Sequence, residues 1–250
     1  MSQTFYYGHD LAYLHHAGHG DFARQVAPNL IRLLRASGVP GGLVVDLGCG
    51  SGILAHELTR AGYDVLGVDL SPEMIKLARK NAPQARFITG SLYEVDLPSC
   101  DAVIAIGEVF NYIPPVAEQH PRLSTQFFKI AQALRKGGVL LFDILVQATV
   151  KNVTYDKWSE GEDWAAHVTT HEDRNARTVD RHITLFRQIG ELYRRSNETH
   201  RLYMHWRSQI ERDLRQFDFA YKYSHRYDDY VLLPRRLAFH ATKGRPKGPS

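Results

Sequence analysis

Apolar and polar residues along this chain recur with two different periods, and the period changes near residue 147. Asp21 opens a helix whose apolar positions Phe22, Val26, Leu30, Leu33 and Leu34 keep helical spacing, and Gly38-Val39-Pro40-Gly41-Gly42 ends it. Short apolar runs then alternate with amphipathic segments. They predict strand 43–47, helix 51–61, strand 64–69 and helix 72–81, with Ser71 as cap and Pro72 at the first helical position. Strands 86–89 and 102–106 follow, then a helix over 121–135 that passes through Gly137-Gly138 into strand 139–144. This alternation predicts an α/β chain with a doubly wound, mostly parallel sheet, and ligands at the carboxyl ends of its strands.

From 147 to 206 the helical repeat gives way to stretches of period two, such as His182-Ile183-Thr184-Leu185-Phe186-Arg187. Gly190-Glu191 reads as a hairpin turn before Leu192 to Trp206. The pattern predicts an antiparallel β insertion, half exposed. Alternation sets Arg194, His200 and Trp206 on one face and Tyr193, Arg195, Arg201 and Tyr203 on the other. Helical spacing returns at Ile210, Leu214 and Phe217, and strands near 218–223 and 236–242 follow. The organisation predicted is thus a cap and ligand-binding core over 1–146, an insertion over 147–206, a closing helix and strands over 207–242, and a disordered tail over 243–250.

Chemistry concentrates in residues 44–52, Val-Val-Asp-Leu-Gly-Cys-Gly-Ser-Gly, an apolar strand running into a glycine turn with Asp46 just before it. Gly48, Gly50 and Gly52 let backbone come close to a ligand, with no Cβ in the way. A second strand ends at Asp69, whose carboxylate can accept both hydroxyls of a ribose. A dinucleotide fingerprint wants a third glycine where Ile53 stands, so the turn suits a nucleoside better than a pyrophosphate, and a nicotinamide dehydrogenase is disfavoured.

At these residues the chain resembles the class I S-adenosylmethionine-dependent methyltransferases, whose first motif is matched by Asp46-Leu47-Gly48-Cys49-Gly50-Ser51-Gly52 and whose second acid is matched by Asp69, followed by Leu70-Ser71-Pro72-Glu73-Met74. Further matches are Phe87 to Leu92, Val103 to Tyr112 and Leu134 to Leu140. The resemblance implies a seven-stranded Rossmann-like methyltransferase fold. It also implies S-adenosylmethionine as cofactor, S-adenosylhomocysteine as product, and methyl transfer to N or O of a small molecule. Asp46 would anchor the methionine ammonium, and Cys49 would be a small filler. Leu70 and Met74 follow the ribose acid, and Gly90, Ser91 and Leu92 would meet the adenine, with Ser91 standing where the family usually has Asp. Gly107 and Glu108 would lie against the methionine part, and Asn111 and Tyr112 would face the transferred methyl. The insertion resembles the substrate lid of small-molecule methyltransferases, including sugar-amine and glycine N-methyltransferases. Through it Arg194, His200 and Trp206 become substrate candidates.

The N-terminal stretch adds candidates from its own chemistry. Tyr6 or Tyr13 could set an aromatic face against a sulfonium. Among His15, His16 and His19, positions 15 and 19 share a helical face, and His19 is carried as a candidate base. A metal site is not expected, because a third spaced ligand is missing. Asn111-Tyr112-Ile113-Pro114-Pro115 holds the letters of an amino-methylating nucleobase motif in the wrong order, and no Pro-Cys nucleophile is present.

Composition narrows partners and compartment. The 250 residues are 44% hydrophobic and 23% charged, ordinary for a globular chain with a real core. No apolar run is long enough to span a membrane, and the N-terminus lacks a signal-peptide pattern. Two cysteines in such positions suggest reduced thiols and a cytoplasmic home. Residues 1–150 carry 12 Lys/Arg against 13 Asp/Glu, and residues 151–250 carry 19 against 14, so the net +4 comes from the second half. That excess could attract an anionic small molecule or, as the alternative, RNA or protein. Nucleic acid is disfavoured for want of a base-methylation motif. A non-catalytic adenosyl-ligand binder is the other alternative, and the oligomeric state stays open, a homodimer included.

Overall fold

Two adjacent residues, Val44 and Val45, explain how the chain layers itself: one strand buries both, and they belong to separate apolar clusters on opposite faces of one sheet. The computed structural model describes residues 6–114, 122–147 and 153–244, and for His19 the backbone only. Helices α1 (His9–His19) and α2 (Asp21–Ala36) precede β1 (Gly42–Leu47), α3 (Ile53–Arg60), β2 (Tyr63–Asp69) and α4 (Pro72–Asn81). Then come β3 (Arg86–Thr89), β4 (Cys100–Ala105), a 3-10 turn over Val109–Asn111, α5 (Leu123–Ala133) and β5 (Leu134–Leu145). Strands β6 (Thr154–Glu160), β7 (Trp164–Asp173), β8 (Thr178–Ile189) and β9 (Leu192–Tyr203) form the insertion. Helix α6 (Arg207–Gln216), β10 (Phe219–Ser224), the short pair β11 (Arg226–Tyr227) and β12 (Tyr230–Val231), and β13 (Arg236–Lys243) complete the order.

The main sheet has seven strands in the order β10-β13-β5-β4-β1-β2-β3. Strands β1 to β5 pair in parallel, and β13 runs antiparallel to both of its neighbours. This is the doubly wound arrangement the alternation predicts. Order reverses between β1 and β4, which opens a crevice at their carboxyl ends. Leu30 and Leu34 of α2 and Leu54 and Leu58 of α3 cover one face. Phe127 and Ile130 of α5 and Ile210 and Leu214 of α6 cover the other. Ser71 caps α4 as its sequence predicts, its hydroxyl accepting the Met74 amide at 3.1 Å.

The insertion is a separate four-stranded antiparallel sheet, β6-β7-β8-β9. Its strands span residues 154–203, so Trp206 lies beyond the last strand, directly before α6. Leu11 and Leu14 of α1 pack against Trp164, Ala166, Ile183 and Leu185 on its inner face. The predicted tail begins later than expected, because Lys243 still belongs to β13 and donates to the carbonyls of Ala131 and Leu134. Residues 245–250 lie outside the described residues. Among the described residues no helix is long and apolar enough to cross a membrane.

Candidate cofactor and acceptor site

A cavity of about 520 Å³ lies over the carboxyl ends of β1, β2 and β4. Its floor is the glycine turn. Gly48 has φ +70°, and a Cβ there would stand 2.5 Å from a Val109 methyl, so only glycine lets the turn pass beneath the 3-10 segment. At Gly50 a Cβ would meet nothing within 4 Å, because that position faces open space.

Asp69 holds this turn in shape. Its Oδ2 accepts the Gly50 amide at 2.9 Å and its Oδ1 accepts the Ser71 amide at 2.8 Å. Burial pushes its carboxyl above the ordinary range, and those two amides pull it back. Asp46 is 1% exposed, and its Oδ2 has no hydrogen-bond partner among the described residues. Burial, and then the charge of Asp69, raise the Asp46 carboxyl to about 7. A buried, unsatisfied acceptor facing a cavity is poised for a cationic donor.

Leu70, Met74, Cys49, Gly90, Ser91, Leu92 and Gly107 all line the same space, with Asp46, Gly48, Gly50 and Asp69. Burial holds the Cys49 thiol well above its usual range, which keeps it a filler.

Part of the lining comes from the N-terminal segment. Tyr6 and Tyr7 line the cavity, as does Tyr112. The Tyr6 hydroxyl donates to the Ile113 carbonyl at 2.7 Å, and the Tyr7 and Tyr112 hydroxyls are 2.9 Å apart. Tyr7 takes φ +58°, and three contacts hold it there: its amide donates to Glu198 Oε2, the Gly8 amide donates to Glu198 Oε1, and its carbonyl accepts the Ser71 hydroxyl. Burial raises both hydroxyls above the usual phenol range; Arg181 pulls Tyr112 partly back.

Several expected residues stand elsewhere. Asn111 is 0% exposed and does not line the cavity: its amide donates to the carbonyls of Leu145 and Tyr203 and accepts the Leu145 amide. It knits the 3-10 turn to β5 and β9 instead of facing a methyl group. Glu108 turns away as well, into ion pairs with Arg181 (2.8 Å) and Arg236. Burial opposes its ionisation, yet the two arginines hold its carboxyl below the ordinary value. Tyr13 donates to Asp163 and lies under the Arg187 guanidinium, outside the cavity lining.

The substrate candidates of β9 are corrected too. Arg194 binds Asp10, His200 is 1% exposed behind Tyr6 and Tyr7 and bonded to Glu198, and Trp206 is 46% exposed outside the sheet. Alternation puts Arg194 and His200 on one face of β9, as the structure does, but Trp206 is not on the strand and the inner face meets the N-terminal segment. The side chain of His19 lies outside the described residues; His16 bonds to Ser51, and His15 lines the cavity.

Sequence reasoning missed Tyr7, His15, Phe22 and Tyr230 as lining residues. Phe22 carries helical spacing and so reads as core, yet from the first turn of α2 it meets Tyr230 edge-on, with ring centroids 5.6 Å apart. Tyr230 sits on a two-residue strand that carries no signal of its own.

Fold and cradle together define a class I methyltransferase architecture. Residues 44–138, which run from β1 into β5 at the centre of the sheet, match the family model of the methyltransferase domain. A Bacillus subtilis (strain 168) protein, provisionally named methyltransferase YqeM, is 26% identical over 170 residues, which is 64% of this chain and 66% of that one. DesVI of Streptomyces venezuelae shares 17% identity with a TM-score of 0.78, over 96% of this chain and 100% of that one. CalS10 of Micromonospora echinaspora, an amino pentose methyltransferase solved with S-adenosylmethionine bound, shares 21% identity with a TM-score of 0.70, over 98% and 100%. At such identities the structures establish the fold. S-adenosylmethionine is the cofactor of this class, and the residues present fit it: the unsatisfied Asp46 acceptor suits its ammonium, Asp69 its ribose, and the open face of Gly50 a ligand lying close to backbone.

Proposed function

We propose that this chain is an enzyme that transfers the methyl group of S-adenosylmethionine to a nitrogen or oxygen of a small molecule. The observation that carries the reading is one cavity whose lining holds Asp46, the glycine turn and Asp69 together with Tyr6, Tyr7, His15, Phe22 and Tyr112. A volume of about 520 Å³ falls in the range of small-molecule sites. The cofactor supplies an activated methyl on a positively charged sulfur. The protein's part is to align the acceptor with that methyl and to keep water out, and Tyr6 and Tyr7 of the N-terminal segment contribute to the lining that does so.

A thermal-shift titration with S-adenosylmethionine, S-adenosylhomocysteine and NAD, on the native protein and on Asp69→Ala, tests the first half of this reading. A ligand at about 100 times its dissociation constant adds about 2.7 kcal/mol of stability. A shift with both adenosyl ligands that disappears in Asp69→Ala is expected. A shift with NAD alone, or with no ligand, refutes it.

A further inference from the structure

Strand order gives the cofactor a direction. Asp46 stands on β1, Asp69 ends β2, and Gly90 directly follows β3, which lies on the far side of β2 from β1. Asp69 pairs in register with Thr89, and the Gly90 amide donates to the Asp69 carbonyl at 2.9 Å, so residues 90–93 rise beside the ribose acid. S-adenosylmethionine carries its ammonium and its base on opposite sides of its ribose. With the ammonium at Asp46 and the ribose at Asp69, the base falls against Gly90, Ser91, Leu92 and Tyr93, all of which line the cavity.

Adenine presents two unlike polar groups side by side: a ring nitrogen that accepts and an exocyclic amine that donates. The first calls for a donor from the protein, the second for an acceptor. The acceptors on this side of the cavity are already engaged. The Ser91 carbonyl takes the amides of Glu94 and Val95, each at 3.0 Å. The Ser91 Oγ takes the Tyr93 amide at 3.3 Å. The Tyr93 carbonyl takes Lys129 Nζ at 2.7 Å, and the Tyr93 hydroxyl is turned to the Phe110 carbonyl. Among the described residues the lining holds three carboxylates, and none of them is here. Asp46 and Asp69 serve the ammonium and the ribose, and Asp21 belongs to α2, ion-paired with Arg24 at 3.1 Å. Glu94 and Asp96 come soon after Ser91 in sequence, but both are exposed and neither lines the cavity. What residue 91 has left for a ligand is the proton of its hydroxyl, a donor.

We propose, on the footing of the S-adenosylmethionine site above, that Ser91 donates to a ring nitrogen of the base and leaves the exocyclic amine to water. The chain therefore also takes S-nucleosyl ligands whose purine lacks that amine. A carboxylate at this position could accept the Tyr93 amide and still hold an oxygen toward the amine, whereas the serine hydroxyl spends its oxygen on the amide. A site rejects an analogue strongly when the missing group leaves a buried partner unpaired. No such partner waits for the amine here, so deleting it strands nothing. Residue 91 is the position that decides specificity for the base.

Isothermal titration calorimetry tests this with two ligands. One is S-adenosylhomocysteine; the other is its analogue with purine in place of adenine, which keeps the ring nitrogens and lacks only the exocyclic amine. The native protein is expected to bind the analogue no more than about fivefold more weakly. Ser91→Asp and Ser91→Asn supply a charged and an uncharged acceptor, and each is expected to shift preference toward S-adenosylhomocysteine by at least about fivefold. The uncharged variant keeps the test open if a new carboxylate near Asp69 unfolds the chain. A native preference above about fivefold for S-adenosylhomocysteine overturns the inference, because some group then accepts the amine. A smaller shift in every folded variant overturns it too, since residue 91 would not be the one that decides. A native protein that binds neither ligand defeats the cofactor reading itself, an outcome distinct from both.

Discussion

Glu198 accepts the backbone N–H of Tyr7 at 2.9 Å, joining residues 191 positions apart in sequence. Its second oxygen accepts the Gly8 amide at 2.8 Å, and the same carboxylate bonds His200. One side chain of the insertion therefore fixes the backbone of the segment that walls the cavity. Replacing Glu198 with Ala strands two amides and should cost about 1–3 kcal/mol of stability, with a smaller loss for Glu198→Gln, which keeps an acceptor oxygen. Urea unfolding reads both. Weaker S-adenosylhomocysteine binding should accompany the Ala variant, since Tyr7 loses the contact that holds its φ of +58°.

Asp46 makes stability and cofactor affinity move in opposite directions with pH. Its folded value of about 7 lies above its unfolded one, so between about pH 4 and 7 the folded state binds the extra proton. From this group the ligand-free protein should gain stability as pH falls through that window. Asp143, raised to about 6 mainly by burial, adds to the same trend. Binding of an ammonium at Asp46 needs the carboxylate, so S-adenosylhomocysteine affinity should fall below about pH 7, approaching tenfold per pH unit. Asp46→Asn should flatten that dependence in a calorimetric pH series. An affinity unchanged between about pH 5.5 and about pH 7.5 would separate Asp46 from the ammonium.

Asn111 should behave as a structural residue. Ala at this position leaves the carbonyls of Leu145 and Tyr203 and the Leu145 amide without their side-chain partner, at about 1–3 kcal/mol per stranded buried group. Chemical denaturation should show the loss, and S-adenosylhomocysteine affinity of the folded fraction should stay close to native. A large affinity loss in a variant of native stability would put Asn111 back in the cavity.

Ser71 serves two partners at once, capping α4 through the Met74 amide and donating to the Tyr7 carbonyl at 2.7 Å. Ser71→Ala should cost about 0.5–2 kcal/mol through the lost cap. Amide hydrogen exchange in the variant should rise both at the start of α4 and in residues 6–8, two places far apart in sequence. Exchange that rises at α4 alone would show that the Tyr7 contact does not hold the N-terminal segment.

The cofactor-binding part of the cavity is legible in the sequence because short contiguous motifs build it. The turn 46–52, Asp69 and Gly90 to Leu92 each stand at the carboxyl end of a strand of the parallel sheet, and that topology brings all of them to one edge. The aromatic part of the lining was harder for a physical reason: Tyr7, Tyr112 and Tyr230 stand before α1, just after the 3-10 turn and on the two-residue strand β12, none of which has a period to read. Asn111 and Tyr112 are neighbours, yet one faces the core and the other the cavity, because the 3-10 turn over Val109–Asn111 ends between them. The arginines of β8 and β9 show the other limit. Strand alternation gives their face, while their partners Asp10 and Glu108 come from elements remote in sequence, so net charge overstated what the surface offers a ligand.

Strand β13 enters the main sheet between β5 and β10, not at its rim. The row from Val139 to Leu145 therefore receives its last hydrogen-bonding partner from residues 236–242. Until those residues arrive, β5 is a long apolar edge with open N–H and C=O groups, the kind of template on which chains stick to one another. β10 in turn has only β13 to pair with. A polypeptide clipped before Arg236 would thus lose two strands of the sheet at once and present the buried row of β5 to its neighbours, so its resistance to self-association rests on one late-placed strand.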